Sequence, residues 1–293
     1  MDRQLAEEVG GIHVIVGGHS HTKIEVPERV GNEGGNAIIV QAWENSKVLG
    51  RLDLEMRGKA VVRFSGGLIP VTADVLEDPD VKTIIEPYAT ELTARMSEVV
   101  GTTLVALEGR RTQIRTQETN LGNLVADMMR WAAGSDVQIA LENGGGIRWH
   151  LLFPAGPITR GDVYTLLPFA NTLVMMDLTG AQIKLALENG VSKYPSADGR
   201  FPQVSGLRFT FDPTKPVGSR VVNVWVGGTP LVETVVYRVA TNDFLAAGGD
   251  GYTVLMLGTN FVDTGVYLMD YMVEYLKEFS PVSPGVEDRI VPL

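Results

Sequence analysis

Residues 137–148 read Val-Gln-Ile-Ala-Leu-Glu-Asn-Gly-Gly-Gly-Ile-Arg (VQIALENGGGIR). Val137 to Leu141 is a short, mostly apolar run of the kind that makes a buried strand, and the glycines at 144–146 end it. The residues on either side make this strand one member of a larger unit. Before it, Thr119 to Ala133 carries Leu121, Leu124, Val125, Met128 and Met129 at helical spacing. After it, Thr159 to Leu167 opens like a helix and stops at Pro168. Thr172 to Leu178 reads as a strand, and Thr179 caps a helix to about Val191 with Ile183, Leu187 and Val191 inward. Leu207–Phe211, Val221–Val226 and Tyr237–Thr241 read as strands, and Leu268–Phe279 as a closing helix. Helices alternate with strands, yet some strands are joined by tight turns such as Gly227-Gly228. The expected fold class is therefore α/β in the wide sense, an α+β unit built on a mixed sheet.

The first hundred residues have a different pattern. Residues 3–9 look like the tail of an amphipathic helix, and Ile12–Val16 (IHVIV) like a strand running into Gly17-Gly18. Residues 37–43, 47–56 and 61–64 read as further strands. From Asp78 to Val99 the chain is charge-rich, with Val81, Ile84, Ile85, Tyr88, Leu92 and Met96 on one stripe. Asp78 is placed to cap this helix, with Pro79 at its first position, and Pro87 is expected to kink or interrupt it. The expected organisation is a strand-rich remnant over 1–70, a linking helix over 71–100 and a complete domain over 101–293.

Composition narrows the function. Among 293 residues, 44% hydrophobic and 20% charged is ordinary for a globular chain. Twenty-five basic against 35 acidic residues give a net charge of −10, which argues against a nucleic-acid polymer or an anionic membrane as partner. The absence of cysteine excludes disulfides, zinc thiolates and a thiol nucleophile. No apolar run is long enough to span a membrane, and Met1–Glu8 does not read as a signal peptide. Serine-esterase, P-loop and dinucleotide-binding signatures are missing.

Four constellations could carry chemistry. His19 and His21, two apart in the loop after a strand, could face one metal or two adjacent metals; the plain alternative is a pair of solvated loop histidines. Asn143 to Arg148 offers close backbone N–H approach at three glycines and a guanidinium fork at Arg148, against the alternative of an ordinary loop. Arg111 and Arg115 precede a helix start, where an anion is favoured, though surface arginines would look the same. Phe169, in Pro168-Phe169-Ala170-Asn171, and Phe244, in a loop that runs to Tyr252, could stack on both faces of a planar base unless both are core. Asp250, among glycines, could accept from two ribose hydroxyls.

Together these stretches resemble the 5′-nucleotidase family, in which a metallophosphoesterase domain precedes a nucleotide-binding C-terminal domain. Gly17 to Thr22 is similar to the last metal-ligand motif of the first domain, and Gln41 to Met56 to its closing strands. The helix from Asp78 resembles the family's interdomain helix. From about Gly101 onward the chain is similar to the whole C-terminal domain, most tellingly at Thr119–Leu124, Asn143–Arg148, Leu167–Phe169 and Asn242–Tyr252. The resemblance implies that His19 and His21 are ligands of a centre holding two divalent ions, zinc, manganese or similar, with His21 the more variable of the pair. It implies that Phe169 and Phe244 clamp the base and that Asn143 and Gly146 line its edge. Asp250 would hold the ribose, and Arg115, Arg148 and, more weakly, Arg111 would meet ribose or phosphate oxygens.

The family's earlier metal motifs are missing, so the chain is expected to be a C-terminal portion that binds nucleoside but hydrolyses nothing by itself. The whole protein would cleave nucleoside 5′-monophosphates, with UDP-sugars as a further option, in the periplasm, outside the cell or on its surface. Expected partners are a nucleoside or nucleotide and, optionally, a second copy of the chain. The competing classes are a binding or dimerisation module without chemistry and a relative acting on 2′,3′-cyclic or 3′-nucleotides.

Overall fold

The computed structural model describes residues 2–32, 35–149 and 151–293. The chain divides into two compact units, Met1–Pro87 and Tyr88–Leu293.

In the first unit, α1 (Asp2–Glu8) precedes β1 (Val14–Val16), β2 (Glu28–Asn32) and β3 (Gly35–Val40). β3 lies between the other two, parallel to β1 and antiparallel to β2. β4 (Val48–Arg57) and β5 (Ala60–Pro70) form a long antiparallel hairpin, so the strand expected at 61–64 is longer than its apolar residues suggested. The core is thin: Ala6, Ala37 and Ile39 are its fully buried cluster. α2 (Pro79–Met96) crosses the division. Asp78 caps it, accepting from the N–H groups of Asp80 and Val81 at 2.9 and 3.1 Å. The interruption expected at Pro87 does not occur; the helix continues, lacking the one hydrogen bond that proline cannot donate.

In the second unit the order is β6 (Val99–Thr103), β7 (Leu107–Glu108), α3 (Arg111–Ile114), α4 (Asn120–Ala133), β8 (Ile139–Asn143), β9 (Leu152–Phe153), β10 (Gly156–Thr159), α5 (Arg160–Leu166), β11 (Thr172–Thr179) and α6 (Gly180–Val191). β12 (Pro202–Ser205), β13 (Leu207–Phe211), β14 (Val221–Val226), β15 (Thr229–Pro230), β16 (Val236–Asn242), α7 (Asp243–Ala246), β17 (Thr259–Tyr267), α8 (Leu268–Phe279) and β18 (Ile290–Pro292) follow. The main sheet has the order β12-β8-β16-β11-β17 and is mixed, with β8 and β16 parallel and the other pairs antiparallel. A four-stranded sheet, β15-β14-β13-β18, lies beside it.

Strand alternation distributes the apolar side chains to both faces of the main sheet. Ala140, Leu173 and Ala240 enter one cluster with Leu121 and Leu124 of α4, Val163 of α5 and Met272 of α8. Ile139, Leu141, Val174 and Val239 enter the other with Leu187 of α6 and Phe209, Phe211 and Val224 of the smaller sheet. Helix starts follow local chemistry. Thr119 caps α4, and Thr159 with Asp162 and Thr179 with Gln182 make reciprocal capping boxes on α5 and α6. Among the described residues no helix is long and apolar enough to cross a membrane.

Candidate functional site

The topology brings three loops to one edge of the main sheet. β8 and β16 are parallel, so their carboxyl ends, Asn143 and Asn242, lie at the same edge. β11 runs antiparallel to β16 with Leu173 opposite Asn242, so the segment entering β11 arrives there too. The loops after β8, before β11 and after β16 enclose a cleft of about 390 Å³. Crevices at the carboxyl ends of parallel strands are common ligand sites. Arg115, Asn143, Gly146, Arg148, Phe169, Phe244 and Asp250 all line this cleft, with Gly145, Ala170, Asn171 and Gly199. Arg111 is not among the lining residues; it opens α3 on the surface.

The glycines act differently from the sequence expectation. Their backbone N–H groups are not free to approach a ligand. Gly144 donates to the Phe201 carbonyl at 2.7 Å, Gly145 to that of Gly199 at 2.8 Å and Gly146 to that of Asn143 at 2.8 Å. What the positions require is the missing β-carbon. A methyl at 144 would lie 2.4 Å from the Ile114 carbonyl oxygen, and one at 146 would lie 2.0 Å from Glu142 Oε1. The turn is thereby pressed against the segment that carries Arg115. From β12, the buried Gln203 fixes that segment: its amide donates to the carbonyls of Ile114 and Gln117 and accepts from Thr119 N–H.

Arg115 is 5% exposed, and among the described residues neither its Nε nor the buried Nε of Arg148 has a partner. Burial lowers the pKa of Arg115, and the charges of Arg111 and Arg148 push it the same way, with Asp250 and Asp198 opposing. A buried guanidinium lacking a full set of acceptors has a strong preference for an incoming anion or polar oxygen. The Arg148 guanidinium also sits 5.0 Å from the centre of the Phe169 ring, within cation–π range.

Phe169 and Phe244 are 42% and 45% exposed, so neither is a core residue. The ring of Phe244 is seated on Gly249, where a methyl would lie 2.5 Å from Cζ. A brace that the sequence did not suggest joins the two phenylalanine loops: Asn171 Nδ2 donates to Asp243 Oδ1 at 2.6 Å, and the same oxygen accepts from Phe244 N–H. Asp250 lies in the left-handed region, φ +50°, which an aspartate tolerates better than most residues. Asn189 holds its carbonyl, and Asn143 Nδ2 donates to its Oδ2 at 2.7 Å. Tyr252 is fully buried and donates to the Arg200 carbonyl, which ties the Gly199 loop to the Asp250 loop.

Beneath the turn, Glu142 is 1% exposed. Burial, with Asp243 and Asp250 adding to it, pushes its pKa up to about 8 against the pull of a hydrogen bond from Asn242. The sequence suggested no role for Glu142 or for Asn242, because a polar residue at the end of an apolar run has no periodic signature.

His19 and His21 lie in the first unit. Both have positive φ, 61° and 54°, and both are exposed. His21 Nδ1 is 3.0 Å from Glu44 Oε2, an arrangement that would orient the ring and leave Nε2 outward. Among the described residues no group of three or more histidines, aspartates or glutamates is close enough to hold a metal ion. Among the described residues the donors present do not amount to the centre that the resemblance implies.

Comparison with known proteins agrees with this architecture. The family model described as 5′-nucleotidase, C-terminal domain, matches residues 99–256. The chain is 42% identical over 99% of its length to the trifunctional nucleotide phosphoesterase protein YfkN of Bacillus subtilis, of which it spans 20%. It is 32% identical over 99% of its length to a snake venom 5′-nucleotidase of Macrovipera lebetinus, spanning 79% of that protein. Among solved structures, a 5′-nucleotidase precursor from Thermus thermophilus superposes with a TM-score of 0.68 at 44% identity, covering all of this chain and 61% of that one. The chain thus spans a fifth to about four fifths of the length of these relatives. The family model takes in more than half of the chain and every residue lining the cleft, and the protein belongs to the 5′-nucleotidase family.

Proposed function

We propose that the cleft binds the nucleoside part of a nucleotide. The base lies between Phe169 and Phe244 with Asn143 and Gly146 at its edge. Asp250 takes ribose hydroxyls through the oxygen that Asn143 leaves unused. Arg115 and Arg148 take ribose or phosphate oxygens, and Arg111 on the surface adds positive potential at their side. The observation that carries this reading is the convergence itself. Two half-exposed phenyl rings, two guanidinium groups with unpaired Nε atoms and one carboxylate, far apart in sequence, line a single cleft. Stacking on aromatic rings is worth roughly 1–3 kcal/mol per base, enough to dominate a weak nucleoside complex.

In the whole protein the substrate is a nucleoside 5′-monophosphate, or a UDP-sugar; His19 and His21 would be two of the ligands of a centre of two divalent ions, which would supply charge stabilisation for the hydrolysis. From the monophosphate the products are nucleoside and phosphate; a UDP-sugar would first give UMP and a sugar 1-phosphate. The relatives named 5′-nucleotidase support this, as does the snake-venom relative for a periplasmic, extracellular or cell-surface setting. The present chain alone binds nucleoside and hydrolyses nucleotides negligibly, because unassisted cleavage of a phosphate monoester is among the slowest reactions known.

Isothermal titration with adenosine tests the reading. The parent chain binds, and Phe169→Ala weakens binding about tenfold or more. No binding by the parent, or equal binding by the variant, overturns it. Turnover of AMP with added manganese, in a preparation cleared of other phosphatases, overturns the assignment of negligible hydrolysis.

A further inference from the structure

The carboxyl of Glu142 belongs to none of the roles above, yet it is joined to the cleft floor at two points. From β16, the amide nitrogen of Asn242 donates to Glu142 Oε2 at 2.9 Å and to Asn143 Oδ1 at 3.1 Å, one N–H for each. Asn143 then donates to Asp250. The other carboxyl oxygen, Oε1, fills the space directly behind Gly146, where a methyl would overlap it. Glu142 therefore supports from beneath the two positions that face the base edge, and its state reaches Asp250 through two amides.

We propose that Glu142 is a positioning residue of the nucleoside cleft whose carboxyl is held neutral while the ligand is bound, so that nucleoside affinity is linked to its protonation. This rests on the nucleoside-binding reading of the cleft.

The surroundings favour the neutral acid. The neighbour from β12 is Gln203, whose amide is engaged with Ile114, Gln117 and Thr119. The neighbour from β16 is the neutral Asn242. The charged residues of α4, which packs on β8, are turned elsewhere: Asp127 pairs with Arg289, and Arg130 donates to Ser205. The titratable groups that face the carboxyl are Asp243 and Asp250, both negative, and the phenol of Tyr252, which burial keeps neutral. Ionising Glu142 would add a third negative charge under the turn without a cation to balance it. A charged carboxyl, repelled by Asp243 and Asp250, would draw on Asn242 and through it displace Asn143 from the base edge, so the ligand-bound cleft penalises the charged form further. By linkage, the ligand then binds the protonated form more tightly, and binding at a pH above the carboxyl's pKa takes up a proton.

The experiment is adenosine titration across pH 6.5 to 9.5, a range in which adenosine itself neither gains nor loses a proton. The parent is expected to lose about threefold or more in affinity toward the alkaline end. Glu142→Gln keeps the acceptor for Asn242 but cannot ionise, and its affinity is expected to be flat over the range. A second readout uses the parent alone. Binding heats at pH 9 in two buffers of different ionisation enthalpy should differ in the sense of proton uptake. A flat parent profile, an equally pH-dependent Glu142→Gln variant, or buffer-independent heats would overturn the proposal. Failure to bind adenosine at every pH would instead remove the reading of the cleft on which it stands, and the proposal with it.

Discussion

Two glycine-bounded loops, each following a short strand, have different fates in this molecule. Gly17–Thr22 leaves β1 with two histidines, and Asn143–Arg148 leaves β8 with an asparagine and an arginine. In the first, both histidine side chains are exposed, and the contact to His21 Nδ1 comes from Glu44 on the surface. In the second, every glycine N–H is bonded, and Gln203, Asn242, Glu142 and Asp250 brace the turn from neighbouring segments. The residue types in each loop advertise chemistry equally well. What separates them is which groups the support holds: Val40 and Gln41 fasten the backbone and Ser20 of the first loop while its histidine side chains stay outside, whereas in the second the fastened groups line the cleft.

The sharpest way to break this contrast is to remove the close approach at the second loop. Gly144→Ala forces a methyl against the Ile114 carbonyl and should cost about 2–3 kcal/mol, read as a fall of roughly 5–10 °C in melting temperature, with adenosine binding lost as Arg115 shifts. A variant that melts and binds like the parent would mean that the turn is not tightly packed. Next in size, Phe244→Ala should lower adenosine affinity about tenfold or more by calorimetry without changing the melting temperature by more than a few degrees; unchanged affinity would deny the second ring a role. The brace between the two phenylalanine loops is worth less. Asn171→Ala removes one hydrogen bond to Asp243 and should weaken adenosine about fivefold, corresponding to about 1 kcal/mol.

A separate effect concerns stability against pH. Glu142 has its pKa raised from the ordinary 4.5 to about 8 by burial. The folded protein therefore holds a proton there that the unfolded chain has lost, and stability falls as pH rises from about 4.5 through about 8. Glu142→Gln does not share that fall, so the melting temperature of the variant minus that of the parent should become more positive between pH 5 and pH 9. A difference that stays constant or moves the other way would contradict it. Smallest of all, His19→Ala should leave nucleoside affinity unchanged within about 0.5 kcal/mol, since His19 is absent from the cleft lining. A larger loss would show that the first loop reaches the nucleoside after all.

The fold was legible wherever periodicity or capping carried it. The stripe over Leu121–Met129 and the capping threonines at 159 and 179 gave α4, α5 and α6 within a residue or two, and Leu268–Phe279 matches α8. β2, β12 and β17 escaped notice because their residues are mixed or polar, and a strand on a sheet edge needs no continuous apolar run. Seven of the eight residues expected at the nucleoside line one cleft; each had a plain alternative when read alone, and the set was legible only through the resemblance carried by several motifs in order. The supporting residues were not. Gln203, Asn242 and Glu142 act through partners 84 to 100 positions away, and spacing along the chain holds no record of that.

A turn whose N–H groups are already engaged is ordered before anything arrives, so a visiting molecule forfeits little backbone freedom there. Amide protons at 144–146 should exchange slowly with solvent in empty and filled protein alike. Any change of exchange on filling then belongs to the arginine and phenylalanine segments around that fixed turn.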